Sequence, residues 1–404
     1  MRTPEEAIAV ILDHAAPLRE VQAVSLAAAR GRVLAEDVAS DVDLPPFQKS
    51  AMDGYAVHSA DFAGAAEQAE VVLERVGESC AGRPFAGPVP RGALVAIYTG
   101  AEVPADCDAV VMVEKTREDG ARVHLADRPR PGQNICNRGE DLRSGEVVLR
   151  AGRRLAPTDL SVLAAVGADP VTVQRRPRVA ILSTGDELVA PRERPGPGQI
   201  REGNTLHLAA LAERAGAEVL EVALVRDDPA ELDRAFGAAL ERADALLTTG
   251  GVSMGEYDLV AGAFARLGVE EVFHKVAIRP GKPLWFGRRG ATLVFGLPGN
   301  PVSCLLDHEV FVRPALARME GCEEETAART RRGRWEGAPL AAQPRQQNVP
   351  VRVEQGEDGV ERLVPIPWSG SADIVGLTRA SGMAIVPAGE DLASGALALY
   401  RPLA

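Results

Sequence analysis

No stretch of this 404-residue chain approaches the roughly 20 consecutive apolar residues that a membrane-spanning helix needs, which argues against a helical membrane protein. The N-terminal Met1-Arg2-Thr3-Pro4-Glu5-Glu6 has no apolar core behind its charge, so no targeting segment is expected there. Cysteine is sparse: the five thiols, at 80, 107, 136, 304 and 322, are odd in number, scattered, and form no C-x-x-C pair for zinc or redox chemistry. They read as the reduced thiols of a cytoplasmic protein. Positive charge is in deficit, 45 basic against 57 acidic residues for a formal charge of -12, which repels polyanions. Neither nucleic acid nor a membrane is an expected partner, although a local basic pocket for a small anion stays open. Lysine is rare among the cations: four of the 45 basic residues, Lys49, Lys115, Lys275 and Lys282. Where Arg is the default cation, a retained Lys points to a position that wants a compact charge rather than a planar fork. No repeat of solenoid period and no low-complexity tract occurs.

What is present is the material of several folded domains. Hydrophobic content of 46% and charged content of 25% are those of globular chains, and the length suits two to four domains. Thr3-Pro4-Glu5-Glu6 is a capping box with Pro at the first helical position, followed by apolar residues at 7, 8, 11, 12 and 15, an amphipathic helix. From about Val38 to Leu155, short apolar runs at 71–73, 93–97 and 109–113 are broken by Gly and Pro, which predicts a strand-rich barrel or sandwich. From about Pro177, strands alternate with helices. The run 179–182 precedes a helix starting near Asn204. The strand 219–225 precedes a helix capped by Asp228 with Pro229 at N1, and the strands 245–248 and 292–295 follow, the last leading to a helix capped by Asn300. This rhythm predicts a largely parallel sheet covered on both faces. The stretch from Gly321 to Gln347 reads as a linker, and Val349 to Leu403 as a small β domain.

Three polar Gly-bearing loops follow strands of the α/β block: 183–187, 249–258 and 296–301. Loops after parallel strands gather at the carboxyl edge of the sheet, so all three can line one pocket. Any one of them is explained equally well as a backbone turn; three together favour a site. Lys275, Arg279 and Lys282 lie between the second and third loops, with Glu187, Asp227 and Asp258 near the same edge. Cations for phosphate beside carboxylates for Mg²⁺ suit phosphoanhydride chemistry. In the strand-rich block, 50–56, 98–101 and 131–141 are polar turns that reveal no function by themselves, and Asp53-Gly54 is an ordinary hairpin signal.

Together these segments resemble the MoeA-type molybdopterin molybdenumtransferases, relatives of the gephyrin E domain. The resemblance rests on Ser50-Ala51-Met52-Asp53-Gly54-Tyr55, Thr99-Gly100-Ala101 with Pro104 and Asp108-Ala109-Val110-Val111, Gly139-Glu140-Asp141, Thr184-Gly185-Asp186-Glu187-Leu188, Gly250-Gly251-Val252-Ser253 and Pro298-Gly299-Asn300-Pro301, in the family's order. It implies a multidomain α/β plus β protein with an elongated four-domain subunit. The expected domains are an extended one from 1–44 and 142–172, an inserted β-rich one at 45–141, a three-layer molybdopterin-binding α/β domain at 173–325 and a C-terminal β-barrel at 326–404.

It also implies a cytoplasmic homodimer that takes adenylylated molybdopterin and molybdate, uses Mg²⁺, inserts molybdenum and releases AMP. The site would lie between the α/β domain of one subunit and the β-rich domain of the other. Carried over by motif, Asp53, Asp141, Glu187, Asp227 and Asp258 are the catalytic carboxylates, with Glu187 and Asp258 on the metal. Thr99, Thr184, Gly185, Gly250, Gly251, Ser253, Lys275, Arg279, Lys282, Pro298, Gly299, Asn300 and Pro301 are the substrate-binding residues. A molybdopterin adenylyltransferase and molybdoenzyme maturation proteins are the implied partners. Two positions depart from the pattern: Cys136, where Arg is common, and Arg279, where Lys is common. The competing readings are a molybdopterin adenylyltransferase, which uses a similar domain alone, and a non-catalytic scaffold of the gephyrin kind.

Overall fold

The computed structural model describes residues 1–65, 69–251 and 259–403, and the chain divides into two compact units. One comprises Met1–Glu36, Ala151–Ala156 and Thr172–Ala404; the other comprises Asp37–Arg150 and Pro157–Val171.

The larger unit is built on a six-stranded sheet in the order Glu218–Val225, Arg178–Thr184, Ala245–Thr249, Thr292–Leu297, Trp285–Arg289, Glu270–His274. The first four strands, which are the four read from the sequence, are parallel as its rhythm predicted, and the last two add an antiparallel edge. The reason is local. Gly290 at φ +59 closes a tight turn between Trp285–Arg289 and Thr292–Leu297, with no room for a crossover helix. Arg178–Thr184 and Ala245–Thr249 are neighbours whose connections run to opposite sides, which makes the gap between their carboxyl ends the topological switch point.

Helices cover both faces. On one, Leu208 and Ala212 of Asn204–Arg214 and Ala7 and Ile11 of Pro4–His14 pack with Ile181, Leu247 and Phe295. On the other, Leu232 and Phe236 of Pro229–Leu240 and Phe264 of Leu259–Arg266 pack with Leu182 and Leu246. The caps read from sequence form as expected at two helices: Thr3 and Glu6 complete the capping box, and the Asp228 carboxylate accepts from the Ala230 and Glu231 amides. At Pro301–Asp307 the cap differs, because the Asn300 side chain makes no capping bond.

In the same unit the strands Gln346–Gln355, Glu361–Pro365, Arg331–Trp335, Leu397–Pro402 and Gly382–Val386 close into a five-stranded barrel, since the first also pairs with the last. Trp335, Val351, Leu363 and Tyr400 fill it. Arg331–Trp335, inside the stretch read as linker, is therefore a barrel strand. Its Arg-rich sequence hides the pattern because only Gly333 and Trp335 turn inward.

The smaller unit carries a six-stranded mixed sheet in the order Ala109–Met112, Gly54–Val57, Ala93–Ile97, Val71–Ser79, Arg122–Leu125, Thr116–Asp119. Its middle strands are covered on both faces: Tyr55 and Val57 join one apolar cluster and Ala56 joins another. Gly54 has no room for a side chain, as a Cβ there would sit 1.9 Å from the Val111 carbonyl oxygen. Asp53-Gly54 is thus a close-packing point at the start of a central strand, paired with Ile97 and Met112, and not a hairpin turn. No helix among the described residues is long and apolar enough to cross a membrane.

Candidate functional site

The switch point of the larger unit opens into a cavity of about 640 Å³, within the size range of small-molecule sites. Its wall includes Ser183, Thr184, Glu187, Thr249, Gly250, Gly251 and the turn Pro298–Pro301, so the three Gly-bearing loops converge as their positions after the strands required.

Backbone contact rather than side-chain charge holds the loops together. Gly250, at φ +90, lies so near the first loop that a Cβ would be 2.2 Å from the Thr184 carbonyl oxygen. Gly299 packs on Gly250 in turn, its own Cβ position lying 3.7 Å from the Gly250 Cα. Asn204, at the start of its helix, donates from Nδ2 to Thr249 Oγ1 at 3.0 Å and to the Gly299 carbonyl at 2.7 Å, and Thr249 Oγ1 donates to the Pro298 carbonyl at 3.2 Å. One amide thereby ties a helix, a strand end and a turn.

The Thr184 hydroxyl donates to Asp227, which fixes that carboxylate beside the first loop. Glu187 folds back over its own turn: a Cβ on Gly185 would meet Glu187 Oε2 at 2.7 Å. The other carboxylate of the wall, Glu202, is occupied, accepting from the Thr205 amide at 2.9 Å and the Thr205 hydroxyl at 2.7 Å. Among the described residues, Glu187 is therefore the wall carboxylate without a competing side-chain bond.

Several wall residues were not singled out from sequence. Ile200, Arg201, Glu202 and Asn204 come from the loop and helix start that follow the first strand, a location that itself was the available signal. Pro283 comes from the loop whose three cations were singled out; Lys275, Arg279 and Lys282 are not wall residues. That loop closes on itself, with the Lys275 amide on the Leu284 carbonyl at 2.8 Å and the Val276 amide on the Lys282 carbonyl at 3.0 Å. Arg279 instead pairs its strand with the barrel, opposite Gln347. Ala372 and Ile374 come from the segment before the last two barrel strands. Here Ser371 takes over the missing cap: its hydroxyl accepts from Asn300 Nδ2 at 2.9 Å, and its carbonyl accepts the Val302 amide at 3.0 Å. Ser253 and Asp258 lie outside the described residues, and among the described residues no three His, Cys, Asp or Glu side chains cluster to hold a metal.

The smaller unit brings Asp53 and Thr99 together. Asp53 accepts from both the amide and the hydroxyl of Thr99, each at 2.7 Å, and these bonds hold its carboxyl below the usual carboxylate range. The neighbouring turn is stitched in by the Gly100 amide on the Ser50 carbonyl at 2.8 Å and the Ser50 amide on the Ala101 carbonyl at 2.9 Å. Asp141 is fixed through its backbone, the amide donating to the Leu44 carbonyl at 2.9 Å. Cys136 faces Lys49 across the strand pair Ile135–Cys136 and Lys49–Ser50. Its thiol is pushed up by burial and by the nearby Glu140.

Two family models match the chain: a MoeA N-terminal region (domain I and II) over residues 2–167, and a probable molybdopterin binding domain over residues 180–318. The molybdopterin molybdenumtransferase of Synechococcus elongatus is 38% identical over 415 residues, covering 98% of each chain. That of Haemophilus influenzae is 39% identical over 323 residues, covering 80% of this chain and 78% of the relative. Two crystal structures of the molybdopterin biosynthesis MoeA protein from Pyrococcus horikoshii superpose with TM-scores of 0.82 and 0.84 at 31% and 29% identity, each over 99% of this chain and at least 98% of the other. The chain belongs to the molybdopterin molybdenumtransferases, the MoeA family of enzymes.

Proposed function

We propose that this chain inserts molybdenum from molybdate into adenylylated molybdopterin, cleaving the adenylate and releasing AMP and the molybdenum cofactor. The observation that carries this reading is the convergence of the 184–187, 250–251 and 298–301 loops on one cavity at the switch point, in a chain related to molybdopterin molybdenumtransferases. Thr184, Gly185, Gly250, Gly251, Ser253 and the Pro298–Pro301 turn hold the phosphorylated pterin, chiefly through main-chain groups. Lys275, Arg279 and Lys282 offset phosphate charge from the adjoining loop.

The donors near the cavity, Glu187 and Asp227, are hard oxygens, the chemistry Mg²⁺ takes, and Glu187 has no competing side-chain bond among the described residues. Glu187 and Asp258 would hold that ion, which when bound shields phosphate charge and polarises the scissile phosphoanhydride. Asp53, Thr99 and Asp141 act on the same substrate from a second subunit of a cytoplasmic homodimer, which receives its substrate from a molybdopterin adenylyltransferase.

The test is AMP release and active-cofactor formation from adenylylated molybdopterin with Mg²⁺, with and without molybdate. Molybdate-dependent appearance of both products is expected. Intact substrate would favour the scaffold, and adenylylation of free molybdopterin by ATP would favour the adenylyltransferase. Mixing Asp53→Ala with Glu187→Ala protein should recover activity through hybrid dimers; none despite proven subunit exchange would remove the two-subunit site.

A further inference from the structure

The cavity wall is not uniformly polar. Two large aliphatic side chains in it, Ile200 and Ile374, are 57% and 45% exposed, although residues of this size and type ordinarily find burial. They come from separate elements. Ile200 opens the strand Ile200–Arg201, which runs parallel to Leu188–Val189, and its amide is held by the Glu187 carbonyl at 2.8 Å. Ile374 opens the short helix Ile374–Leu377, whose preceding Asp373 accepts from the Gly376 amide at 2.7 Å and the Ser369 amide at 3.0 Å. Both backbones are thus fixed, and each side chain leaves about half of its surface uncovered by the described residues. Leu188, Pro283 and Ala372 extend the apolar part of the wall, while the glycine turns supply main-chain hydrogen-bonding groups.

Aliphatic surfaces combined with main-chain amides and carbonyls in one cavity are the recognition chemistry of a flat heteroaromatic ring: its faces want apolar contact, its edge wants donors and acceptors. A bare phosphate or molybdate would leave both isoleucines wet. We propose that Ile200 and Ile374 are ring-contacting specificity residues, which hold a flat heteroaromatic ring of the substrate in this cavity. The inference rests on the proposed function for the identity of that substrate, whose rings are a pterin and an adenine. The ring lies against the pair while the phosphate is taken by the glycine loops.

The test uses the full-length protein and its Ile200→Asn, Ile374→Asn and Ile374→Leu variants, which change polarity or shape without adding a charge that would repel the phosphates. Binding of molybdopterin is read by quenching of pterin fluorescence, binding of AMP by calorimetry, and turnover by AMP release. Losing the apolar contact at either position is expected to weaken binding of one of the two ligands about tenfold and to raise KM for adenylylated molybdopterin similarly, with kcat and Tm unchanged; Ile374→Leu should bind as wild type. Whichever ligand weakens identifies the ring. Unaltered binding of both ligands to both Asn variants would overturn the proposal. Wild-type protein that binds a ring ligand in an Ile-dependent way but never turns over would refute the proposed reaction and leave this inference standing.

Discussion

The cavity of the larger unit and the polar turns of the smaller one are assembled by opposite means. Around the cavity, main chain meets main chain: Gly250 against Thr184, Gly299 against Gly250, with Asn204 and Thr249 bonding to carbonyls. Around Asp53, one ionised side chain is gripped by Thr99, and the charge itself closes the turn. A shape made by backbone tolerates changes of charge but not of volume. An arrangement made by a carboxylate tolerates changes of volume but not of ionisation.

The sharpest way to break this contrast is Gly250→Ala. The added carbon would sit 2.2 Å from the Thr184 oxygen at a φ of +90, so overpacking of about 1–3 kcal/mol or more is expected, with loss of pterin binding. A variant with wild-type Tm and affinity would show that the cavity is not backbone-built. Next comes Glu187→Gln, which keeps the shape and removes the charge. Turnover should fall on the order of a hundredfold with Tm unchanged, and a drop in Tm would mean that Glu187 is structural instead.

Ser371→Ala removes one hydrogen bond to Asn300 and leaves the carbonyl cap in place. At about 1 kcal/mol for such a bond, KM should rise about fivefold; an equal loss in kcat would assign Ser371 to the chemical step. The smallest effect sharpens the other side of the comparison. Because Asp53 titrates below the usual range, its grip on Thr99 is complete above that range and lost as pH falls through the depressed value. Thr99→Val removes the hydroxyl bond but keeps the amide bond, so the Asp53 midpoint, followed by carbon NMR, should move up toward the ordinary value. A stationary midpoint would assign the whole depression to the amide.

Where local signals sufficed, the sequence was legible. Capping residues at Thr3 and Asp228, apolar runs, and glycines after strands located the helices, the sheet and the cavity's three principal loops. The antiparallel edge strands Trp285–Arg289 and Glu270–His274 gave no signal because each holds only two adjacent apolar side chains beside charged ones, too short a run to mark a strand. The barrel strand Arg331–Trp335 was missed because a small closed barrel turns few of its side chains inward. Ile374 and Ser371 had no local mark at all: they are 70 or more residues from the turn they serve, and only closure of the barrel brings them to it. The cations of 275–282 illustrate the reverse, since proximity in sequence to the loops did not make them part of the wall.

The bond from Asn300 to Ser371 has a consequence for exchanging parts between relatives. A chimera joined near residue 326, with its barrel taken from another member of the family, would exchange a length of the cavity wall as well as a stabilising module. Differences in ligand preference between such chimeras would therefore be inherited in part from the C-terminal piece, even with every glycine loop left untouched.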